Sequence, residues 1–276
     1  MFKIGISLHP KQISDEIFAK YKESGIGAVE ICVSHGDADL DYDELVRLTD
    51  KYGIERWSYH LPFYTADISN PEIADESIKN YCELIDKAVN SGFTHIVVHP
   101  CFEVTEEDRE ERFALAKKNL PIIAEYAKSK GVPVAVEDLP KQCIGRASWE
   151  IKELISTHEN LYACFDTNHL FFEKPEDYIR ALGDKLITLH VSDYDFIFER
   201  HWLPGEGKID WKALYDALLE VGYNGVWMYE VSFASKTIIR ERSLEPSDFA
   251  KNAREIFEGK KPTAIGTPNP EIYANK

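Results

Sequence analysis

Eight short runs rich in β-branched and aromatic residues recur along this chain, at positions 3–8, 28–34, 56–61, 95–99, 132–138, 162–166, 186–193 and 225–230. Between them lie longer stretches whose apolar residues fall three and four apart, as in 71–91 (Ile73, Ile78, Tyr81, Leu84, Ile85, Ala88) and 106–130. That spacing puts one apolar stripe on a helix and predicts helices packed on a sheet. Gly25, Gly53, Gly92, Gly131 and Gly222 each stand just before the next run, where helix C-caps belong. Eight strand–helix repeats in this length predict a single-domain (β/α)8 TIM barrel over residues 1–258. A doubly wound sheet would show a Gly-rich fingerprint after an early strand, and the sequence has none. Residues 259–276 hold three prolines, two glycines and little periodicity, and read as an extended C-terminal tail that could serve as an arm toward a second copy.

Composition narrows the partners. With 48 acidic against 32 basic residues the net charge is −16, which works against binding nucleic acid, where clustered Lys and Arg must neutralise phosphates. The five cysteines include no C-x-x-C pair, so neither a disulfide framework nor a thiolate zinc site fits, and reduced thiols in a cytoplasmic protein are expected. No apolar run is long enough to span a bilayer, and the first residues lack the pattern of a signal peptide.

In barrels of this type, chemistry gathers where the strands end. The ends of these runs are unusual: His60, His99, Glu137, Asp166, His169, His190 and Glu230 all fall there. Two residues before Glu137, Asp166, His190 and Glu230 stand Ala135, Cys164, Thr188 and Met228, uncharged and fairly compact. Period-two alternation therefore turns all four polar residues inward, above a filled layer. Taken singly, a strand-end His or Glu reads as a local hydrogen-bonding group. Together, three carboxylates in one buried place repel one another and resist desolvation, and a divalent cation relieves both problems. Two Glu, one Asp and one His form an oxygen-rich set suited to Mn²⁺ or Mg²⁺ and tolerable for Co²⁺ or Zn²⁺.

The stretch 198–211, FERHWLPGEGKIDW, places Gly205 and Gly207 around Glu206, with Asp210 as N-cap of the next helix. It lacks the spacing of a phosphate-binding P-loop. With CFDTNH before it and a strand-eight glutamate after it, this stretch resembles the xylose-isomerase-like TIM-barrel superfamily. That group includes sugar-phosphate isomerases and epimerases, ketose 3-epimerases, inositol-catabolism enzymes and type-IV apurinic-site endonucleases. The resemblance covers nearly the whole chain outside the tail. It implies that Glu137, Asp166, His190 and Glu230 are the shared metal ligands and that His169 lies close to the substrate or a further metal. It also implies that His60 and His99 line the substrate pocket, or bind a second metal in the endonuclease branch. Glu199 and His201 match a third-metal pair of that branch, with Glu where the branch has Asp.

The activity expected from this resemblance is metal-dependent proton transfer next to a carbonyl on a small sugar, sugar phosphate or polyol, through an enediolate. Glu137 and Glu230 would exchange the proton, with His60, His99, His169, His201 and Trp202 orienting hydroxyls. Trp57, Phe63, Tyr64, Phe102, Phe171 and Phe172 would stand near the rim, and the sparse basic clusters Lys236, Arg240 and Arg242 after strand eight and Lys141 and Arg146 after strand five could bind a substrate phosphate. The alternatives are a metal-dependent apurinic-site endonuclease and a catalytically silent barrel that binds a polyol.

Overall fold

The structure is a computed structural model and describes residues 1–273. Eight parallel strands make the barrel: β1 (Lys3–Leu8), β2 (Ala28–Cys32), β3 (Glu55–His60), β4 (His95–Val98), β5 (Val134–Glu137), β6 (Leu161–Asp166), β7 (Leu186–His190) and β8 (Val226–Tyr229). Their order is β7-β6-β5-β4-β3-β2-β1-β8. The barrel closes where Val191 donates to Met228 O (2.7 Å) and Glu230 donates to Val191 O (3.1 Å). Helices α1 (Asp15–Ser24), α2 (Tyr42–Tyr52), α3 (Ala74–Asn90), α4 (Arg109–Ser129), α5 (Ser148–Ile155), α6 (Pro175–Leu182), α7 (Trp211–Glu220) and α8 (Pro246–Phe257) ring it. Among the described residues, no helix is long and apolar enough to cross a membrane.

The expected local signals operate. Asp210 accepts from Ala213 N–H (3.0 Å) at the start of α7, and Asp41 does the same for α2 through Glu44 N–H. Gly25 and Gly53 end α1 and α2 at φ 86° and 63°, a left-handed conformation that costs glycine little. Several strands stop one to three residues earlier than the apolar runs suggest.

Below the strand ends the interior is full. Ala28, Val226 and Met228 pack with Trp57, while Val97, Ala135 and Cys164 pack with Ile187. A Cβ on Gly5 would come within 2.8 Å of the Met228 side chain. Trp57 is not at the rim as expected. The β2–β3 register jumps, with Val29 opposite Arg56 and Glu30 opposite Ser58, so Trp57 is the extra residue. It turns inward, and its Nε1–H donates to Thr188 Oγ1 across the barrel (3.1 Å).

The tail does more than extend. After β8 the chain forms β9 (Ile238–Arg240), and within the tail β10 (Gly266–Pro268) pairs with it antiparallel. Arg240 places its guanidinium on Glu206 (2.6 Å), and Glu206 also accepts from Leu203 N–H and Gly266 N–H. One buried ion pair therefore ties the loop after β7, the strand after β8 and the tail together.

Candidate active site

Each strand end delivers its side chain to one place. Glu137, Asp166, His190 and Glu230 offer ligand atoms that lie within 4.8 Å of one another, and the first three residues are buried. His190 Nδ1 sits 2.9 Å from Glu230 Oε2 and 3.3 Å from Glu137 Oε1. Yet His190 Nδ1, Glu230 Oε2 and Asp166 Oδ2 are all buried without a hydrogen-bond partner. Buried polar atoms are rarely left so. Three orphaned atoms facing one another in a set of three carboxylates and one imidazole fit a divalent cation.

The charges tell the same story. Burial pushes Asp166 up to about 6 against the pull of His169. Burial also works to raise Glu230, but the neighbouring His190 and His201 charges hold it at about 2. Glu137 feels the same burial and is held well below the usual carboxylate range by the neighbouring His190 and His99 and by its bond with His60 Nε2. Asp138, directly behind, is pushed well up from the usual carboxylate range by burial. Its Oδ1 accepts from Asp166 N–H (2.7 Å) and holds that strand end in place.

Glu30 is the residue that the sequence reading missed. It is fully buried on β2, where Ser7 donates to Oε1 (2.7 Å) and Ser58 to Oε2 (2.6 Å). His190 Nε2 lies 3.0 Å from Glu30 Oε2. With Nε2 donating to this carboxylate, the Nδ1 lone pair faces the cluster, which is the orientation a ligand needs. The signal was present: an acidic residue in the middle of the apolar run A-V-E-I-C. Glu30→Gln should weaken Co²⁺ or Mn²⁺ affinity about 10- to 100-fold with the fold intact, as losses of such outer partners do. A metal titration followed by spectroscopy checks it, and unchanged affinity would remove Glu30 from the site.

A second group lies beside the first. His169 Nδ1 donates to Asp138 O (2.7 Å) and His201 Nδ1 to Glu230 O (3.1 Å), which turns both Nε2 atoms toward Glu199 Oε1 at 3.6 and 2.8 Å. Burial would lower His201, but its bond to Glu199 and the charges of Glu230 and Asp166 raise it to about 9. His201 holds a left-handed backbone at φ 50°, a cost that local bonds offset. Ser232 N–H donates to its carbonyl (2.9 Å), and Asn168 Oδ1 accepts from Arg200 N–H (3.0 Å). On the other side, His60 and His99 place Nε2 at 3.0 and 3.4 Å from Glu137 Oε2.

These groups open into a cavity of about 270 Å³ walled by Phe63, Tyr64, Phe102, Leu139, Pro140 and Cys143. His99, Glu137, His169, Glu199, His201 and Glu230 reach its surface. Trp202 does not. Its side chain is fully buried, with Nε1–H donating to Thr237 Oγ1 (2.8 Å). Phe171 packs on Tyr194, and Phe172 is exposed under Arg146, so neither lines the cavity. The arginines of the two basic clusters are engaged elsewhere: Arg240 with Glu206, Arg242 with Asp248 and Arg146 with Glu150. The P-G-E-G stretch is a support. Asp193 accepts from Tyr194, Gly205 and Ile209 N–H and from Trp211 Nε1–H, and a Cβ on Gly207 would collide with its carboxylate.

A family model for the xylose isomerase-like TIM barrel matches residues 18–253. The chain belongs to that family. Within it, an uncharacterized protein of Methanocaldococcus jannaschii is 23% identical over 263 residues, covering 92% of this chain and 99% of the relative. Fructoselysine 3-epimerase of Shigella flexneri is 26% identical over 178 residues, 62% of this chain and 61% of that enzyme. A probable endonuclease 4 of Thermoplasma acidophilum is 26% identical over 179 residues, 58% of this chain and 61% of the relative. Among solved structures, a D-tagatose 3-epimerase-like protein superposes with TM-score 0.76 at 21% identity, covering 94% of this chain and 96% of that one. The 3-keto-D-glucoside 4-epimerase of E. coli gives 0.75 at 16% identity, covering 94% and 100%. At such identities the superpositions speak for the shared barrel alone.

Proposed function

We propose that this protein is a divalent-metal-dependent epimerase or isomerase of a small sugar or polyol, moving a proton at the carbon beside a carbonyl. One observation supports this most: Glu137 and Glu230 both approach His190 Nδ1, at 3.3 and 2.9 Å, share its cluster and both reach the cavity. The donor set suits Mn²⁺, Mg²⁺, Co²⁺ or Zn²⁺, held by Glu137, Asp166, His190 and Glu230, and such an ion would supply Lewis-acid polarisation of substrate oxygens. The neighbouring histidines pull both glutamates below the usual carboxylate range, which favours the carboxylate form that accepts a proton. One removes it from carbon and the other returns it, through an enediolate. His60 and His99 fix the far oxygen of Glu137, and His169 and His201 present Nε2 beside Glu199 at the cavity surface, where substrate hydroxyls would lie. Trp202 is too deeply buried for the substrate contact assigned to it from sequence.

The endonuclease reading keeps one specific support, the second group His169–Glu199–His201 beside His60 and His99 on Glu137. The charge of −16 speaks against a DNA substrate. Turnover of a ketose in deuterated water separates the two. Label at the carbon beside the carbonyl is the expected result. Cleavage of abasic duplex DNA with no sugar exchange would overturn the epimerase reading.

A further inference from the structure

The aromatic wall of the catalytic cavity has a second face. Phe63, Tyr64, Phe102 and Cys143 also line a second cleft of about 560 Å³, on the side of the loop between β3 and α3. Small-molecule sites usually span about 300–1,000 Å³. The catalytic cavity alone, at about 270 Å³, falls just below that range, while the second cleft lies inside it.

The second cleft is built rather than incidental. Its floor is a buried ion pair, Arg112 with Asp67 (2.6 Å), both more than nine-tenths buried. Asp67 also accepts from Phe102 N–H (3.1 Å) and from Ser69, while Arg112 Nε donates to Ser69 Oγ (3.0 Å). Asn119 bonds Ile68 O, and Tyr81 OH bonds Pro62 O. The loop that presents Phe63 and Tyr64 is thus pinned to α3 and α4 by buried polar bonds, so the cleft is preformed. Long irregular loops held this firmly are a common mark of binding.

Its chemistry names the occupant. Tyr64 is half exposed, with its ring 5.1 Å from that of Phe102, which gives the mouth aromatic faces. Asn70 keeps its amide N–H group beside an oxygen held by Glu72 N–H, Thr105 Oγ1 is bonded to Asp108, and the Gln142 side chain makes no hydrogen bond among the described residues. The two clefts together contain one Lys or Arg, Arg112, whose guanidinium is already shared by Asp67, Asp108 and Ser69. Glu103 adds a further carboxylate. A phosphate would find no free cation in the second cleft and a repelling carboxylate. Aromatic faces with neutral hydrogen-bonding groups suit another sugar ring.

Resting on the function proposed above, we infer that the substrate is an unphosphorylated sugar larger than a monosaccharide: its reacting ketose occupies the catalytic cavity, and a glycosyl substituent passes Tyr64 and Phe102 into the second cleft.

The test titrates Mn²⁺-loaded protein by calorimetry with D-fructose, isomaltulose, lactulose and fructose 6-phosphate, and follows solvent deuterium uptake in parallel. At least one disaccharide should bind about tenfold more tightly than fructose, and the phosphate no better than fructose. Gln142 lines only the second cleft, so Gln142→Trp should bring the disaccharide down to the affinity of fructose and leave fructose unchanged. Fructose binding as well as both disaccharides, or a Gln142→Trp variant with undiminished disaccharide affinity, overturns the inference. The two proposals fail separately. Deuterium uptake into fructose with no gain from the extension sinks the second cleft alone. Disaccharide binding that depends on Gln142, without deuterium uptake in any sugar, sinks the proton-transfer chemistry and leaves the cleft standing.

Discussion

Glu137→Gln and Glu230→Gln should each leave a folded barrel whose sugar turnover and solvent exchange have fallen by at least two to four powers of ten, the loss expected of a missing acid–base group (~10²–10⁴). The fall should exceed that range, because the same substitutions remove a carboxylate from the buried set around His190. Divalent-ion binding measured on the same samples divides the two effects. Wild-type protein should hold about one ion tightly, and its melting temperature should drop on chelation as the ligand linkage is lost. In Glu137→Gln that drop should vanish. His99→Ala should keep both the ion and the drop, since His99 is outside the four-residue set and approaches Glu137 at its far oxygen. If chelation changes neither stability nor metal content of the wild type, the four residues form a polar network only and the metal reading fails.

Arg240→Met should cost about 3–5 kcal/mol of unfolding free energy, the range for a buried pair that loses one member. Glu206 is almost wholly inaccessible, and without Arg240 its charge keeps only the Leu203 and Gly266 amides. Urea denaturation measures the loss. The double variant Glu206→Gln with Arg240→Met should recover part of it, because no uncompensated charge is then left inside. An exposed pair such as Lys212–Asp216 provides the contrast, at ~0–1 kcal/mol. A single variant no weaker than this surface control would show that the tail is not clasped by Glu206.

The barrel was legible because its repeat is long and its period-two strands are apolar on both faces. The four-residue cluster was legible for a related reason: Ala135, Cys164, Thr188 and Met228 set the parity of Glu137, Asp166, His190 and Glu230. Parity failed for Trp57, since a register jump opposite Val29 and Glu30 cannot be seen in one strand alone. Trp202 misled because it neighbours His201 in sequence, while its backbone pairs with Asp193 and turns the indole into the protein. Glu30 escaped because its partners, Ser7, Ser58 and His190, come from three other strands. The second cleft escaped for the same reason. Asp67 and Arg112 are far apart in the chain, and only folding puts them under the aromatic wall.

The packed interior around Trp57, Met228 and Gly5 has a bearing on traffic through the molecule. A tube filled from below is a cul-de-sac, so substrate arrives and product departs by way of the loops at the strand ends. A second molecule waits until the first has backed out. Product should therefore compete with substrate for free protein, and the pace of its retreat past Tyr64 and Phe102 sets an upper bound on turnover however fast the proton moves.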